Sequence, residues 1–314
     1  MKVVMVNDCA FVGETLLKYM PKSFVRIHIK RGRGFLDKTF KLALRLLFCK
    51  GDIYHVHYLL QDSFLAGVFR KRPLVCHAHG SDLRSSLHHL MWGRIVKANL
   101  RMCDYVLLST PDIFHIAREF REDAIYLPNP VDFELFYPKP MRETSGKKRI
   151  LIASESNWST KGTDIIIKAL SSVKDLVEVY IISYGKDFAR TLSLARELGL
   201  HVRILPKVSH AKVNQYYWNA DVIIDQVKLG SLGLVSLEGI ACGRPVIVYA
   251  SSKYKEYSEF PMKDIQTEDE IAEAVVKADR TLWEMEYTYL INNHEPNRVV
   301  KKVLNIYKEA INRK

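Results

Sequence analysis

Residues 230–248 read GSLGLVSLEGIACGRPVIV, and this stretch determines the fold class of the chain. It predicts a glycine-containing loop, a short helix, a glycine stop and then a buried strand at 246–249. Backbone N–H groups of such a loop, together with the N-terminus of the helix, suit a diphosphate. Glu238 falls inside the predicted helix. We interpret it as an acceptor for sugar hydroxyls, and the alternative is an ordinary surface acid of an α/β unit.

The same alternation of strand and helix patterns extends over the rest of the chain, which predicts βαβ units and mostly parallel sheets. A Pro-rich stretch at 127–140, followed by polar residues 142–149, predicts a linker between two α/β halves. We therefore expect an α/β fold with two parallel sheets facing across a cleft, which is the default ligand site. The predicted strands are 2–6, 25–29, 53–57, 74–77, 105–109, 125–126, 149–153, 177–183, 202–205, 222–224 and 246–249.

Length and composition exclude several classes of protein. The 314 residues suggest about two domains, and 48% apolar residues are ordinary for a globular chain rather than a disordered one. No run of about 18 uncharged apolar residues occurs, so no transmembrane helix is expected. The first residues are expected to form a strand rather than a signal peptide. The five cysteines share no CxxC spacing and are expected to be reduced cytoplasmic thiols.

The net charge of +12 is concentrated near the start of the chain, where residues 1–50 hold 11 Lys and Arg against 3 Asp and Glu. Positive charge can serve a nucleic acid, a membrane surface or an acidic substrate. No zinc-finger spacing, RNA-binding aromatic signature or helix-turn-helix pattern accompanies the charge. Nucleic acid is therefore not an expected partner.

Within this basic region, residues 30–34 form a predicted basic turn, and about 37–50 form a predicted helix with one apolar stripe. An apolar stripe usually faces its own core, so packing within the first domain is our first expectation. The alternative is that residues 30–50 meet an anionic membrane surface or a phosphorylated acceptor. The residues of the stripe are Phe40, Leu44, Leu47 and Phe48.

Two histidine pairs stand at the ends of predicted strands, His55 with His57 and His77 with His79. Open α/β sheets place their ligands at this edge. Four histidines raise the alternative of a metal site. No helix-borne His pair or carboxylate cluster completes a usual ligand set, so no metal is expected. We interpret one or two of these histidines as side chains that face the cleft.

The second pair continues into the turn His79-Gly80-Ser81-Asp82. Gly80 allows a tight backbone turn directly after the strand, and Asp82 or Ser81 can cap the helix that follows. His79 would then project into the cleft as a hydrogen-bond partner or proton handler. The alternative is a strand-to-helix turn with an incidental histidine.

The common nucleotide-binding fingerprints are missing from the sequence. Gly13 follows the first strand as a lone glycine, and neither GxGxxG nor GxxxxGK[ST] occurs. A nicotinamide enzyme or a P-loop ATPase is therefore not expected. Lys161-Gly162 lies between a predicted strand and a predicted helix. A lysine at that edge can reach a phosphate, whereas the alternative is a plain surface turn.

Together these motifs resemble the retaining glycosyltransferases of the GT4 type (glycosyl transferases group 1), which have the GT-B fold. The resemblance spans nearly the whole chain, and the block at 232–246 is its most specific part. The segments that carry it are the turn at 79–82, the hinge-like PNPVD at 128–132 with Phe136 and Pro138, the pair Lys161-Gly162, and the core at 232–238 with 241–246.

The resemblance implies a reaction and two Rossmann-like domains that share it. A hexose-type sugar would move from a nucleoside diphosphate sugar to an acceptor with retained anomeric configuration, without a metal or other cofactor. Residues 147–296 would bind the nucleotide sugar. Residues 1–140 would bind a sugar, lipid-linked or phosphorylated acceptor, and a final helix at about 297–314 would return to this first domain. Apart from the resemblance, we expect a cytoplasmic protein, and the alternative given above for residues 30–50 would add peripheral binding to the inner face of the membrane.

The resemblance also implies roles for individual residues. Lys161 would hold the donor diphosphate, Glu238 would bind the ribose hydroxyls, and His79 would lie beside the donor sugar, so these three are the candidate catalytic residues. Backbone amides of the glycine loop would contact phosphate and sugar. The candidate donor-binding residues are Gly230, Ser231, Leu232, Gly233, Leu234, Val235, Lys207 and Val208, and the candidate acceptor-side residues are Gly13, His57 and Asp82.

Two positions depart from the family pattern. Gly230 stands where the family usually has a Glu, and Ser156 stands where it usually has an Arg. A charge-assisted contact is worth on the order of 1.5–3 kcal/mol, so either loss would slow turnover unless another residue replaces it. Two alternatives to an active transferase therefore stay open. One is a degenerate family member that acts as a binding or partner subunit, and the other is a lipid-surface adaptor that uses the basic segment alone.

Overall fold

The computed structural model describes residues 1–32, 34, 36–142 and 146–313, with the side chain of Lys38 excepted. Arg33 of the predicted basic turn and residues 143–145 of the predicted linker lie outside the described residues. The chain divides into two compact units. Unit 1 comprises Met1–Pro130 and His294–Lys314, and unit 2 comprises Val131–Asn293.

Unit 1 is built on one parallel sheet with the strands β1 (Lys2–Val6), β2 (Val25–Ile29), β3 (Ile53–His57), β4 (Leu74–Ala78), β5 (Tyr105–Leu108) and β6 (Ile125–Tyr126). Their order is β2-β1-β3-β4-β5-β6. β3 and β4 are buried along their whole length, as expected for a parallel sheet covered on both faces. The order changes direction at β1, so the carboxyl ends of β1 and β3 form a switch point, where open α/β sheets bind ligands.

The helices of unit 1 that follow these strands are α1 (Val12–Tyr19), α2 (Leu42–Phe48), α3 (Gln61–Val68), α4 (Ser81–Arg84), α5 (Leu90–Met102) and α6 (Phe114–Arg118). A π-helical turn at Asp37–Lys41 leads directly into α2, and 3-10 turns occupy Ser86–His88 and Pro111–Ile113. The apolar core of unit 1 lies between these helices and the sheet.

Unit 2 repeats the design with the strands β7 (Lys148–Ile152), β8 (Val177–Ile182), β9 (Val202–Leu205), β10 (Val222–Ile224) and β11 (Val246–Ile247), and the helices α7 (Thr163–Ser172), α8 (Phe188–Glu197), α9 (His210–Asn219), α10 (Leu234–Ala241) and α11 (Glu268–Lys277). The strands are parallel in the order β11-β10-β7-β8-β9. The switch point therefore lies between β7 and β10. A 3-10 turn occupies Lys255–Tyr257.

The chain ends in α12 (Arg280–His294) and α13 (Pro296–Asn312). α13 belongs to unit 1, where it packs against α1 and β3. Pro296 stands at the start of α13, and the Glu295 side chain accepts hydrogen bonds from the N–H groups of Asn297 and Arg298. Both features favour a helix start at this point. A buried face that includes Val299, Val303 and Tyr307 then fixes the helix on unit 1.

The α/β fold class with two parallel sheets, predicted from the alternation of strand and helix patterns, is confirmed. One expectation about the cysteines was wrong. Cys76, in β4, and Cys103, just before β5, form a disulfide, whereas Cys9, Cys49 and Cys242 are free thiols. β4 and β5 are adjacent in the sheet, which brings two cysteines 27 residues apart within bonding distance although no CxxC spacing links them.

The basic helix also differs from our first expectation. Leu42 and Leu46 of α2 face the core of unit 1, and the predicted stripe lies on the exposed side. Leu42 and Leu46 are four residues apart, so they form a second apolar row on the helix. This second row is the one buried against the core of unit 1. Within the described ranges, none of the helices combines the length and apolarity needed to cross a lipid bilayer.

Candidate functional site

The glycine loop of unit 2 connects β10 to α10 at the switch point of the sheet. Gly230 has a φ of +69°, in the left-handed region that favours glycine. Gly233 is the N-cap of α10, so the candidate residues Leu234 and Val235 open the helix and Leu232 is buried just before it. The first turn of a helix presents backbone N–H groups and the positive end of the dipole, which together favour an anion.

Gln226 holds this loop in place, and sequence reasoning did not identify it. Its Nε2 donates to the carbonyl oxygens of Ser231 and Tyr249, both at 2.8 Å. Its Oε1 accepts from the backbone N–H groups of Lys228 at 2.9 Å and Leu229 at 2.5 Å. The buried amide thus uses both donors and both acceptor positions on backbone atoms, three of them in this loop and one at Tyr249, which follows β11. The loop conformation is therefore fixed from within the protein before any ligand binds.

Asp225 is the second residue that sequence reasoning missed. It is fully buried, and its Oδ1 lies 3.4 Å from Lys161 Nζ. Its Oδ2 accepts from Ser236 Oγ at 2.7 Å, in the first turn of α10. A Cβ added at Gly233 would lie 2.7 Å from the same oxygen, so the close approach of Asp225 requires glycine there. Asp225 therefore fixes Lys161 beside the helix start, next to the N–H groups of α10.

Glu238 is buried in α10 and its carboxylate is engaged on both oxygens. Oε1 accepts from His210 Nε2 at 2.7 Å, and Oε2 accepts from Tyr217 Oη at 3.0 Å. Burial, and then the Glu238 carboxylate, raise the pKa of Tyr217 well above its ordinary value, so the phenol keeps its proton and donates. The alternative interpretation of Glu238 as a surface acid is wrong. Each oxygen retains a further lone pair that can accept a ligand hydroxyl.

The structure gives a steric reason for the departure at Gly230. A Cβ at this position would lie 3.2 Å from Tyr249 Cε1 and 3.3 Å from Ser251 Cβ, on a backbone that L-residues rarely adopt. A glutamate in the place that the family pattern gives it would therefore require a strained backbone and a shift of Tyr249 or Ser251. Asp225, five positions earlier, supplies a carboxylate at the end of β10 instead.

The structure also gives a packing reason for the departure at Ser156. Ser156 is fully buried, and a Cβ at Gly185 would lie 2.4 Å from its backbone N and O. Two lysines reach the residues that follow Ser156. Lys228 Nζ donates to the carbonyl oxygen of Trp158 at 2.7 Å, and Lys186 Nζ donates to Ser159 Oγ at 2.9 Å. Positive charge therefore reaches this loop from two other segments.

The turn after β9, with Lys207 and Val208, lies two strands away from β7 in the sheet. Lys207 Nζ lies 5.0 Å from the centroid of the Tyr184 ring, and the Tyr184 hydroxyl donates to the carbonyl oxygen of Ala153 at 2.9 Å. Burial raises the pKa of Tyr184, as do the nearby carboxylates of Asp225, Glu155 and Glu238. Tyr184 thus connects Lys207 to the acidic residues beside the switch point.

In unit 1, the four predicted histidines form a stack at the carboxyl ends of β3 and β4. His55 Nε2 lies 3.2 Å from His77 Nδ1, and His57 Nδ1 lies 2.7 Å from His79 Nε2. His55 also bonds through Nδ1 to Tyr307 Oη of α13 at 2.6 Å. The rings of His57 and His79 are stacked with 4.9 Å between their centroids. The chain end and two neighbouring strands therefore share one buried imidazole cluster.

The contacts of His57 determine which nitrogen of His79 carries a proton. His57 Nε2 lies 3.1 Å from Met5 Sδ. A thioether has no proton to give, so His57 Nε2 is the donor and its Nδ1 is an acceptor. The bond to Nδ1 must then come from His79 Nε2–H, which leaves His79 Nδ1 with a lone pair. His79 is half-buried, and this nitrogen can accept a hydrogen bond from a hydroxyl group.

Burial keeps these imidazoles neutral. It lowers the pKa of His55 to about 3. The pKa values of His57, His77 and His79 also lie well below their ordinary value, because of burial first and neighbouring imidazoles second. His79 therefore acts through hydrogen bonding at neutral pH and not as an imidazolium ion.

The rings of His55 and His57 are not oriented to hold one metal ion between them. Ligand nitrogens of His55, His57 and His77 lie within 4.8 Å of one another. However, the rings of His55 and His57 are stacked at an interplanar angle of 15°. The lone pairs of an imidazole lie in the ring plane, so stacked rings direct them along parallel planes instead of toward one ion.

Asp82 and Gly13 build the surroundings of His79 and His57. Asp82 is fully buried and accepts from the backbone N–H groups of Leu59 at 3.0 Å and Gly80 at 2.9 Å, so it holds the turn together. The predicted capping role is filled differently, because Gly80 itself is the N-cap of α4, with a φ of +107°. At Gly13, a Cβ would lie 2.8 Å from His57 Nε2. The structure therefore brings Gly13 and His57 together.

Asp8 completes the start of α1 and was not predicted. Its Oδ1 accepts from the N–H of Gly13 at 2.7 Å, and its Oδ2 accepts from the N–H of Glu14 at 3.0 Å. The signal available in the sequence was an acid at the end of the first strand, five residues before a glycine. Unit 1 thus has one helix start already bonded to a carboxylate of its own chain.

Comparison with known proteins connects these two sites to a family. The family model "Glycosyl transferases group 1" matches residues 139–260, which include Lys161, Asp225, the glycine loop and Glu238. D-inositol 3-phosphate glycosyltransferase of Xylanimonas cellulosilytica is 28% identical over 233 residues, with 63% of this chain and 55% of the relative covered. N-acetyl-alpha-D-glucosaminyl L-malate synthase of Bacillus anthracis is 21% identical over 212 residues, with 62% and 56% covered. The chain thus spans little more than half the length of these relatives.

A solved structure is similar over the full chain. Anabaena HepE in complex with UDP-glucose superposes with a TM-score of 0.74 at 14% identity, covering 98% of this chain and 100% of that one. At this identity the likeness concerns the fold. The family match covers the motifs at 161–162 and 232–246, and the fold is shared over both units. Residues 139–260 thus match the glycosyl transferases group 1 (GT4) family, and the chain as a whole has a GT-B-like fold of two parallel α/β sheets.

Proposed function

We propose that this protein transfers a sugar, of hexose type, from a nucleoside diphosphate sugar to an acceptor with retention of anomeric configuration. One observation carries the proposal. Lys161 is fixed by Asp225 beside the start of α10, one to two helical turns from the buried Glu238. The arrangement combines a cation, helix N–H groups and a hydroxyl acceptor, which are the groups needed for a diphosphate joined to a ribose.

The residues of the two units take different parts in this proposal. Lys161 and the N–H groups of Gly233–Val235 stabilise the charge that develops on the leaving diphosphate, and Glu238 accepts the ribose hydroxyls. Gly230, Ser231 and Leu232 shape the loop, and Lys207 with Val208 borders the base. His79 accepts a sugar hydroxyl at Nδ1, while Gly13, His57 and Asp82 belong to the acceptor side. No enzyme nucleophile is assigned.

We further propose that the acceptor is anionic. The basic excess of residues 1–50 lies in unit 1, which is the unit proposed to bind the acceptor. The names of two relatives contain small anions, D-inositol 3-phosphate and L-malate. A phosphorylated, carboxylated or lipid-linked phosphate acceptor would match this charge.

Calorimetry with UDP, GDP, ADP and their sugars tests the donor site. We expect one nucleotide family to bind to the wild type more tightly than about millimolar, and Glu238→Gln to weaken that binding by about 10–100-fold, because a charge-assisted bond becomes a neutral one. Glu273→Gln on α11 is the matched control, since it makes the same chemical change in a surface pair with Lys277. Millimolar or weaker binding of every nucleotide by the wild type would exclude the proposal.

A binding or partner subunit without activity of its own is the second candidate function. Gly230 and Ser156 favour it, because both family charges are missing from their usual places and the strained backbone at Gly230 disfavours a larger residue. The two candidates differ in one assay. A wild type that transfers sugar, and that is silenced by Glu238→Gln, is an enzyme. A wild type that binds nucleotide without turnover over all tested acceptors is a binding subunit.

A further inference from the structure

Unit 1 exposes an apolar face on its most basic segment. We define the α2 face as the exposed apolar side chains of the π-helical turn and α2, together with the residue just before them. Phe40 is 64% exposed and Phe48 is 76% exposed. Phenylalanine side chains this exposed are unusual on a globular surface, and a group of exposed apolar side chains marks an interaction site. The residues of the α2 face are Leu36, Phe40, Leu44, Leu47 and Phe48.

The spacing of these residues places them on one side of the helix. Steps of four, four and three to four residues keep them within one stripe. The other side of α2 is occupied by Leu42 and Leu46, which are buried in the core of unit 1. The helix is therefore already anchored by one apolar row, and the α2 face is a second row that unit 1 does not use for its own stability.

The segment that carries the α2 face is basic in sequence, although Lys30 and Arg31 pair with Glu14 and Asp62 of unit 1. Residues 30–50 hold seven Lys and Arg against one acid, Asp37, a net charge of +6. Lys41 pairs with Asp37 at 2.7 Å on the helix surface. Lys71 Nζ donates to the carbonyl oxygens of Leu47 at 3.0 Å and Cys49 at 2.9 Å, which places another cation at the end of α2 beside Phe48. Arg45 is exposed at the border of the stripe, next to Phe48 on the helix surface.

The apolar area continues from α2 toward a second helix. α2 packs against α3, and Phe64 and Val68 of α3 are exposed at a spacing of four residues. Lys71 follows α3 by three residues and bonds to the end of α2, so the two helix ends lie together. The surface available for docking is thus wider than a single helix.

We propose that the α2 face docks on an anionic phospholipid bilayer. An apolar stripe bordered by lysine and arginine is the pattern of helices that lie in the membrane interface, where apolar side chains enter the acyl boundary and cations meet lipid phosphates. Anionic lipid attracts such cations within about a Debye length. A protein partner would require acidic groups arranged around an apolar centre, whereas a bilayer offers both at every point of its surface. This inference is independent of the proposed transfer reaction.

Vesicle co-sedimentation of the full chain tests the proposal. We expect binding to vesicles of phosphatidylglycerol and phosphatidylcholine, weaker binding at high salt and little binding to pure phosphatidylcholine. Phe40→Ser with Phe48→Ser should reduce binding to the mixed vesicles by about 10–100-fold, because two apolar side chains no longer enter the bilayer. Lys41→Glu with Arg45→Glu should reduce it by about tenfold or more at low salt.

The matched control changes two exposed apolar residues of unit 2, Val276→Ser with Met285→Ser, and should bind vesicles as the wild type does. Nucleotide binding by calorimetry should be unchanged in all variants, so loss of docking and loss of the donor site are separate results. Equal vesicle binding by the wild type and by Phe40→Ser with Phe48→Ser would overturn the proposal. So would a wild-type dimer in analytical ultracentrifugation that this variant dissociates, together with no binding to anionic vesicles.

Discussion

The two units solve the problem of polar groups at a sheet edge in opposite ways. Unit 1 gathers four histidines at the ends of β3 and β4 and keeps them neutral by burial. Unit 2 places charged groups at its switch point and gives each a partner, Asp225 for Lys161, and the His210 imidazole with the Tyr217 hydroxyl for Glu238. Burying a neutral imidazole costs little stability, but that stability depends on pH. A buried ion pair depends less on pH, but removal of one partner leaves the other charge unpaired and destabilises the fold.

The largest effect is expected at Lys161. Lys161→Met should lower turnover by about 10²–10³-fold, because one preorganised charge no longer stabilises the leaving diphosphate. The substitution also leaves the buried Asp225 unpaired, which threatens folding. Lys161→Met with Asp225→Asn removes that penalty and should fold while remaining equally slow. Transfer rates with a radiolabelled nucleotide sugar measure both variants.

The control for this prediction is Lys168→Met on α7, since Lys168 pairs with Glu268 on the surface. It should retain wild-type turnover. If the folded double variant transferred sugar at the wild-type rate, Lys161 would have no part in the reaction. The paired charges of unit 2 would then matter for stability and not for catalysis.

The next effect is a loss of stability of unit 1 as the pH falls; the raised pKa of the buried Glu286 gives unit 2 a dependence of opposite sign. Imidazoles of the unfolded chain titrate near 6.5, and burial lowers the pKa of His55 to about 3 in the folded state. Below pH 6.5 the unfolded state therefore binds more protons, so the stabilisation is fully present above that pH and is lost as the pH falls. Each such histidine should cost about 2 kcal/mol between pH 7.5 and 5.

Hydrogen exchange of β3 and β4 amides at several pH values, corrected for intrinsic exchange, measures this slope. His77→Gln should make the slope shallower, because one buried titrating group is gone. His201→Gln, a surface substitution in unit 2, should leave it unchanged. A slope for β7 and β10 amides as steep as that for β3 and β4 would contradict the difference drawn between the units.

The smallest effect is expected at the glycine loop. Gly230→Ala should lower stability by about 1–2 kcal/mol, because a Cβ is added at a φ of +69° and meets Tyr249. Gly230→Glu should be at least as unstable and should transfer sugar no faster, although it restores the family residue. Thermal unfolding measures both. Gly146→Ala is the matched control, since a Cβ there meets nothing within 4 Å, and a Gly230→Ala protein as stable as this control would refute the steric argument.

The two sheets and the glycine loop could be predicted because they depend on local signals. Alternating apolar patterns indicate parallel strands, and the stretch at 230–248 requires glycine at positions that the structure shows to be crowded or left-handed. The family resemblance then identified Lys161, Glu238 and His79 as candidates. Their roles in transfer stay predictions.

The remaining features depend on tertiary contacts that no local pattern reports. Asp225 and Gln226 follow a short buried strand in a place where the sequence suggests only a loop, and their importance comes from partners 11 to 64 residues away or across the loop. The disulfide joins residues that only strand order brings together. The stripe of α2 was assigned to the core because two apolar rows share one helix and either could be buried.

The bonds of Gln226 make the backbone path of the glycine loop independent of the identity of its side chains. Because this amide binds only backbone atoms, the path of the loop does not depend on which side chains occupy positions 228 and 229. Those side chains can vary while the loop retains its shape. A directed library at position 229 can therefore change the side chain that the loop presents without first having to repair the fold, whereas position 228 also carries the bond of Lys228 to Trp158.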